Sequence, residues 1–248
     1  MKKIIYAIAI LCMATVAFNS CKKDAPTIQK RLAMCGDEWD KYYFSYNADG
    51  TIAAAKRNPS NEAGWGGYER TWTFTWNGNV GTAKYVKEGE EQGNWTFTFG
   101  NNGYLSSWAN EWEDTWGFTY DTNGHLTKIE RTDKSLVMSN CVWENGDLKK
   151  WSRFEDGEQF KIQTFFNEEN VAGIFVDACD KADVPRWIFE LGFCGKPSKH
   201  LLDQAAWDGS EAIAVHTYEK DADGFVTKVN KVYDGGEPEI YEYVWEKI

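Results

Sequence analysis

The chain reads as an all-β protein: an antiparallel meander of about a dozen strands, curled into a soluble barrel or sandwich, with one short helix near 183–192. Three observations predict it. Aromatic residues recur at alternate positions, each such run stops at a tight turn rich in Asn, Asp and Gly, and a more charged strand follows. Tyr42, Phe44 and Tyr46 lead into Asn47-Ala48-Asp49-Gly50, and Trp72, Phe74 and Trp76 lead into Asn77-Gly78-Asn79. Trp95, Phe97 and Phe99 lead into Gly100-Asn101-Asn102-Gly103, and Trp116, Phe118 and Tyr120 into Asp121-Thr122-Asn123-Gly124. Tyr218 with Asp221-Ala222-Asp223-Gly224 is a weaker fifth copy. Successive strand side chains point to opposite faces, so this spacing gathers rings on one face and Thr on the other, while the turn residues supply the positive φ angles of hairpins.

The return strands follow from the same logic. Val80 to Lys87, His125 to Thr132 and Phe225 to Tyr233 come directly after aromatic runs, and Asn145-Gly146 turns Leu136–Glu144 into Asp147–Phe154. Short turns force neighbours in sequence to pair antiparallel, and closing the sheet removes exposed edges. One region breaks the rhythm. Between Asp183 and Gly192 an Asp in N-cap position, the early Pro185, the apolar Trp187, Ile188 and Leu191, and a terminal Gly predict a helix of about two turns. Such a helix would plug one end of the sheet. The stretch from there to Gly209 reads as irregular.

The N-terminus carries an export signal. Lys2 and Lys3 precede an apolar run from Ile4 to Phe18, shorter than the roughly 20 residues a spanning helix needs and suited to a secretory signal. Phe18-Asn19-Ser20-Cys21 follows, similar to a relaxed lipoprotein processing site. Cys21 is therefore the expected lipidated residue, and the expected partner is the membrane, reached through a lipid anchor only. The organisation expected is a signal peptide over 1–20, a lipidated tether over 21–38 and a single β-rich domain over 39–248. Its expected home is the cell envelope, at the outer membrane.

Charge and composition exclude several classes. Loss of residues 1–20 removes Lys2 and Lys3 and no acid, taking the formal charge from -11 to -13. A phosphate backbone needs a basic surface, so no nucleic acid partner is expected. Return strands such as Leu126-Thr127-Lys128-Ile129-Glu130-Arg131 put a charge on each face, which argues against a lipid-facing band. His125, His200 and His216 lack metal-ligand spacing, and no phosphate-binding loop, dinucleotide fingerprint or nucleophile elbow occurs. Glu219, Asp221, Asp223 and Gly224 imitate the start of a calcium loop, but its last position falls on Asn230, so a hairpin turn is the better reading. No cofactor, metal or catalytic residue is expected.

Besides Cys21, Cys35, Cys141, Cys179 and Cys194 survive processing. In an oxidising compartment these allow three pairings, of which Cys179 with Cys194 is the expected one, because a short helix between them would bring its ends together. Free buried thiols are the competing reading.

The aromatic hairpins, the segment Leu191-Gly192-Phe193-Cys194-Gly195-Lys196-Pro197-Ser198-Lys199-His200-Leu201 and the closing Tyr241-Glu242-Tyr243-Val244-Trp245-Glu246 together resemble an uncharacterised family of Bacteroidetes lipoproteins described as having a porin-like fold. The hairpins alone are also similar to the YD repeats of large secreted proteins. The first resemblance implies a many-stranded antiparallel β structure on an exported lipoprotein. It implies no activity, ligand or catalytic residue.

Tryptophan carries the functional content. There are 13, beside 14 Phe and 12 Tyr. Trp72, Trp76, Trp95 and Trp116 lie in the regular stripes and are expected in the core. Trp65, Trp108, Trp112 and Trp207 lie beside turns and are the candidate ligand-binding residues, since exposed rings can stack on a glycan or grip an envelope protein. The competing expectation is that they close the barrel ends. A non-catalytic binding module is the leading functional reading, a purely structural envelope component the second, and a hydrolase without a recognisable motif the third.

Overall fold

The computed structural model describes residues 29–59, 67–155, 158–175, 184–207, 213–233 and 235–248, with the backbone alone at 59, 153–155, 158–167, 207 and 213. Sixteen strands follow one another: β1 (Lys30–Asp37), β2 (Asp40–Tyr46), β3 (Ile52–Pro59), β4 (Arg70–Asn77), β5 (Val80–Lys87), β6 (Glu90–Phe99), β7 (Leu105–Ala109) and β8 (Thr115–Tyr120). Then come β9 (Leu126–Arg131), β10 (Leu136–Glu144), β11 (Asp147–Glu155), β12 (Glu158–Glu169), the helix α1 (Arg186–Glu190), β13 (His200–Trp207), β14 (Ile213–Lys220), β15 (Val226–Tyr233) and β16 (Glu239–Lys247). Each pairs antiparallel with its neighbours, and β1 pairs with β16 from Lys30↔Lys247 to Asp37↔Tyr241, so the sheet is a closed barrel.

Sixteen strands exceed the dozen expected. The additions include β1, inside the segment assigned to the tether, and β13, in the stretch read as irregular. Neither carries alternating rings. In a closed barrel both neighbours supply ladder partners, and that tertiary context makes strands of segments with weak patterns of their own. The helix is shorter than expected, Arg186–Glu190, with Pro185 rather than Asp183 at its N-cap; Asp183 lies outside the described residues. Its end is as read: Gly192 has φ +74, its N–H donates to Phe189 O (2.8 Å) and that of Phe193 to Ile188 O (3.3 Å). These two bonds form a Schellman motif.

Four of the hairpin turns repeat one geometry. Asn47 N–H donates to Thr51 O (2.8 Å) while Gly50 N–H returns to Asn47 O (3.0 Å). The same pair of bonds closes Gly100–Tyr104, Asp121–His125 and Asp221–Phe225. Gly50, Gly103, Gly124 and Gly224 sit at φ +87, +79, +88 and +85, a conformation open to glycine at little cost. The register slips by one residue beside each turn, at Ser45/Tyr46, Thr98/Phe99, Thr119/Tyr120 and Glu219/Lys220. These bulges fit hairpins of the turn-plus-glycine type.

Even-numbered strands all run toward this turn end, and odd-numbered strands run away from it to the opposite rim. At the turn end the last ring of an even strand reaches back to the preceding odd strand. Tyr46 Oη donates to Leu32 O (2.6 Å), Trp76 Nε1 to Ile52 O (2.7 Å) and Tyr120 Oη to Leu105 O (2.7 Å). Trp143 Nε1 donates to Leu126 O (2.6 Å), Tyr218 Oη to Leu202 O (2.5 Å) and Trp245 Nε1 to Val226 O (2.7 Å). A hydrogen bond of this kind contributes about 1 kcal/mol net. Six of them tie consecutive hairpins together, and β6 breaks the series because Phe99 has no polar tip to donate.

The barrel is apolar within and polar without. Along β4, Trp72 and Phe74 are buried while Thr73 and Thr75 are exposed; along β5 and β6, Ala83, Tyr85, Trp95 and Phe97 are buried while Lys84, Asn94 and Thr96 are exposed. The lumen is filled. Trp187 of α1, fully buried, lies 5.4 Å from Trp72 and 6.3 Å from Trp95, stacked on the latter at 8°. Phe74 and Phe97 approach the same indole at 6.2 and 6.1 Å. The helix therefore seats Trp187 in a ring-on-ring core inside the barrel.

Candidate functional site

The described part of the connection from β12 to β13 lies against the turn end. Phe193 O accepts from Leu105 N–H (2.8 Å), and the N–H groups of Lys196 and Lys199 donate to Gly124 O and Gly146 O (2.9 Å each). Ser198 Oγ accepts from Leu148 N–H (3.1 Å), and Asn170 Nδ2 donates to Ser198 O (3.0 Å). Three separate hairpins are thus stitched to one segment. That is the structural work of the Gly195–Leu201 run. Gly195, at φ +97, packs so closely that a Cβ there would lie 2.6 Å from Gly124 O and 2.8 Å from Tyr120 Cε1.

The acidic turn at 221–224 is a hairpin, as expected. Asp221 Oδ1 accepts from Asp223 and Phe225 N–H groups (2.9 and 3.0 Å), and Lys30 Nζ bridges Asp221 and Asp223 at 2.6 Å each. A lysine stands where a cation would sit. Among the described residues no group of three or more His, Cys, Asp or Glu side chains is arranged to hold a metal ion.

Inside the lumen a small polar cluster surrounds α1. Glu190 is buried, accepts from Tyr243 Oη (3.0 Å) and pairs with Arg186 Nε (3.2 Å). Burial pushes its carboxyl above the usual carboxylate range, against the opposing pull of Arg186 and Tyr243. Arg186 also lies over the Tyr241 ring at 3.5 Å. Beside them is a cavity of about 50 Å³ lined by Asp37, Arg186, His216, Lys231 and Tyr241. It has room for water and not for a sugar ring.

The opposite rim shows rings to solvent. Trp112 is 74% exposed and Trp39 53%, in the β7–β8 and β1–β2 connections, with Tyr68 at 41% beside β4. The two indoles are displayed by the same device. Asp37 Oδ1 accepts the N–H of Trp39 and of Asp40 (2.8 Å each), and Asn110 Oδ1 accepts those of Trp112 and Asp114 (3.0 Å each). Glu113, next to Trp112, holds a left-handed φ of +63. Asn110 itself is 8% exposed and anchors its loop from within.

Of the candidate residues, Trp112 is therefore where the sequence placed it, at an exposed rim. Trp108 is not: it is 3% exposed and stacks on Trp116 at 4.2 Å inside the barrel. A bulge explains this: the β6–β7 register skips Ser106, so Leu105 and Trp108, three residues apart, are both buried, and Trp108 pairs with the buried Trp116 of β8. Trp207 ends β13 at the same rim as Trp112, paired through its backbone with Ile162, and Trp65 and Cys21 lie outside the described residues. Cys194 is a free, buried thiol rather than half of a disulfide, as are Cys35 and Cys141; Cys179 lies outside the described residues. Trp39 and Tyr68 were missed. A signal was present, because Asp37-Glu38-Trp39-Asp40 and Asn110-Glu111-Trp112-Glu113 share one Asx-Glu-Trp-acid pattern.

A plugged sixteen-stranded barrel with an inward apolar face is the class this geometry defines, and comparison with known proteins places it among porin-like folds. A porin-like protein from Bacteroides uniformis matches with a TM-score of 0.66 at 17% identity, covering 87% of this chain and 98% of that one. A porin-like protein from Bacteroides vulgatus matches with a TM-score of 0.53 at 13% identity, covering 88% and 99%. No protein-family model and no curated protein matches the chain. The likeness shows the fold.

Proposed function

We propose that the chain is an exported envelope protein, lipid-anchored through Cys21, that works as a non-catalytic binding module for a glycan or another envelope protein. The observation that carries this reading is the placement of the exposed indoles. The outer faces of β4–β6 carry Thr, Lys and Asn, which speaks against a lipid-facing band there, and the rings packed in the lumen speak against a conduit, which favours the two ends as working surfaces. At one end three hairpins are tied to the β12–β13 connection. The other displays Trp39, Tyr68 and Trp112.

The start of β1 supports one orientation on such an anchor. Eight residues lie between Cys21 and Lys30, a reach of at most roughly 30 Å, and β1 begins at the turn end. An anchor at Cys21 would therefore lie nearer in sequence to the turn end than to the indole rim, which favours a rim that points away from the membrane. Cys21→Ala tests the anchor: release into the soluble fraction is expected, and retention in the membrane pellet would overturn it. Tryptophan emission titrated with glycans and with soluble envelope proteins tests binding. No shift with any of them would remove the binding reading and leave a structural component.

A further inference from the structure

We infer that the indole rim takes a cationic partner, an extended polypeptide segment rich in Lys or Arg, held by Trp39 and Trp112 with the carboxylates beside them. This rests on the binding-module reading and gives it a chemical class. Each exposed indole is flanked by acids: Glu38 and Asp40 around Trp39, Glu111 and Glu113 around Trp112. Some of the rim's acids already have cations, since Asp40 pairs with Arg57 (2.5 Å) and Asp114 with Arg131 (2.6 Å). Glu38 and Glu113, both exposed, meet no cation among the described residues.

The rings show the same asymmetry. At this end of the barrel Lys87 Nζ lies over the Tyr68 ring at 4.0 Å and the Arg131 guanidinium over Trp116 at 4.6 Å. Trp39 and Trp112, the two indoles exposed at this rim among the described residues, have neither a cation nor a ring against them there. Indole is the best of the aromatic faces for a cation, and a carboxylate beside it adds charge attraction. An anionic ligand would be repelled by the same groups. Six strand spacings separate the β1–β2 connection from β7–β8, an arc of roughly 30 Å. An extended segment of about eight to ten residues spans that distance.

Both indoles are held ready before any partner arrives. The side-chain oxygens of Asp37 and Asn110 fix the backbone under them, so little ordering remains to be done on binding.

The test uses the mature chain carrying Cys21→Ala, with octalysine as the probe and cellohexaose as a neutral comparison, read by tryptophan emission. Octalysine is expected to bind saturably and to weaken as salt rises. The Trp39→Ala/Trp112→Ala double variant leaves the charge untouched and should weaken octalysine about tenfold, while Asp49→Asn at the turn end should not. Circular dichroism of the double variant confirms that the barrel persists. Octalysine binding that survives loss of both indoles would reduce the effect to diffuse charge and overturn the inference. Indole-dependent binding of cellohexaose without octalysine would also overturn it, and would leave the binding-module reading intact. No response to either probe would overturn the cationic assignment, while the titration with envelope proteins decides the broader reading separately.

Discussion

Removing the Trp187 side chain asks whether the plug is packed as an integral core. Its indole is fully buried and surrounded by Trp72, Trp95, Phe74 and Phe97 at centroid distances of 5.4, 6.3, 6.2 and 6.1 Å. A buried Trp removes about 150–250 Å² from water, worth roughly 4–6 kcal/mol at 25 cal/mol per Å². That is an upper figure, because the unfolded chain already hides part of the area. Measured Trp→Ala losses in cores run to about 3–5 kcal/mol, so Trp187→Ala should cost about 4 kcal/mol. Trp187→Phe should cost only about 1 kcal/mol, since the buried Nε1–H has no acceptor among the described residues and leaves nothing unpaired there when removed. Trp112→Ala, at a site 74% exposed, should stay within about 0.5 kcal/mol of the parent. Urea unfolding of the Cys21→Ala mature chain, followed by circular dichroism, gives all three values from the midpoints. A Trp187→Ala variant as stable as Trp112→Ala would refute the packed lumen, and with it the case against a conduit.

Three other outcomes follow from named contacts. Gly195→Ala must hold φ +97 and place a methyl 2.6 Å from Gly124 O, so a loss of about 2–4 kcal/mol is expected, against about 1 kcal/mol at Gly78, where no atom lies within 4 Å of a Cβ; equal losses in thermal melts would contradict the stitching of the turn end. Burial raises the Glu190 carboxyl above its ordinary 4.5, so the folded state holds that proton more tightly than the unfolded state. Its stabilising contribution is present below the unfolded value and lost as pH rises toward the folded one. Glu190→Gln should therefore gain on the wild type in urea midpoints as pH climbs from about 4.5, and a difference that does not change with pH would count against it. The thiols of Cys35, Cys141 and Cys194 are buried and free, and should resist alkylation until the chain unfolds. Labelling of Cys194 in the unfolded, unreduced protein is expected, whereas labelling only after reduction would show a disulfide.

Period-two patterning made the aromatic hairpins legible because a ring at every second position has one low-energy solution: one face in, one face out. The same alternation identified Trp72, Trp95 and Trp116 as core and exposed Trp112 as an exception to the stripes. It failed for Trp108, which lies beside a turn in sequence and inside the lumen in space. It also failed for β13, where His200-Leu201-Leu202-Asp203 has no regular period. The rim pair was half legible: the shared Asx-Glu-Trp-acid pattern is local, but only the barrel brings positions 39 and 112 to one end. The run at 195–201 stood out in the sequence without a reason. Its reason is long-range, since its partners Gly124 and Gly146 belong to other hairpins.

From its residues alone, this chain is committed to antiparallel hairpins, to glycine-bearing turns and to a short helix ending at Gly192, because each depends on backbone preferences and alternation over a few neighbours. Closure of the ring through β1 and β16, the seating of Trp187 in the lumen and the division into a tied turn end and an indole-bearing rim were decided by the tertiary structure. Those features depend on contacts between residues up to some 200 positions apart, such as Lys41 with Glu242, and no local pattern encodes which distant strand will supply a partner.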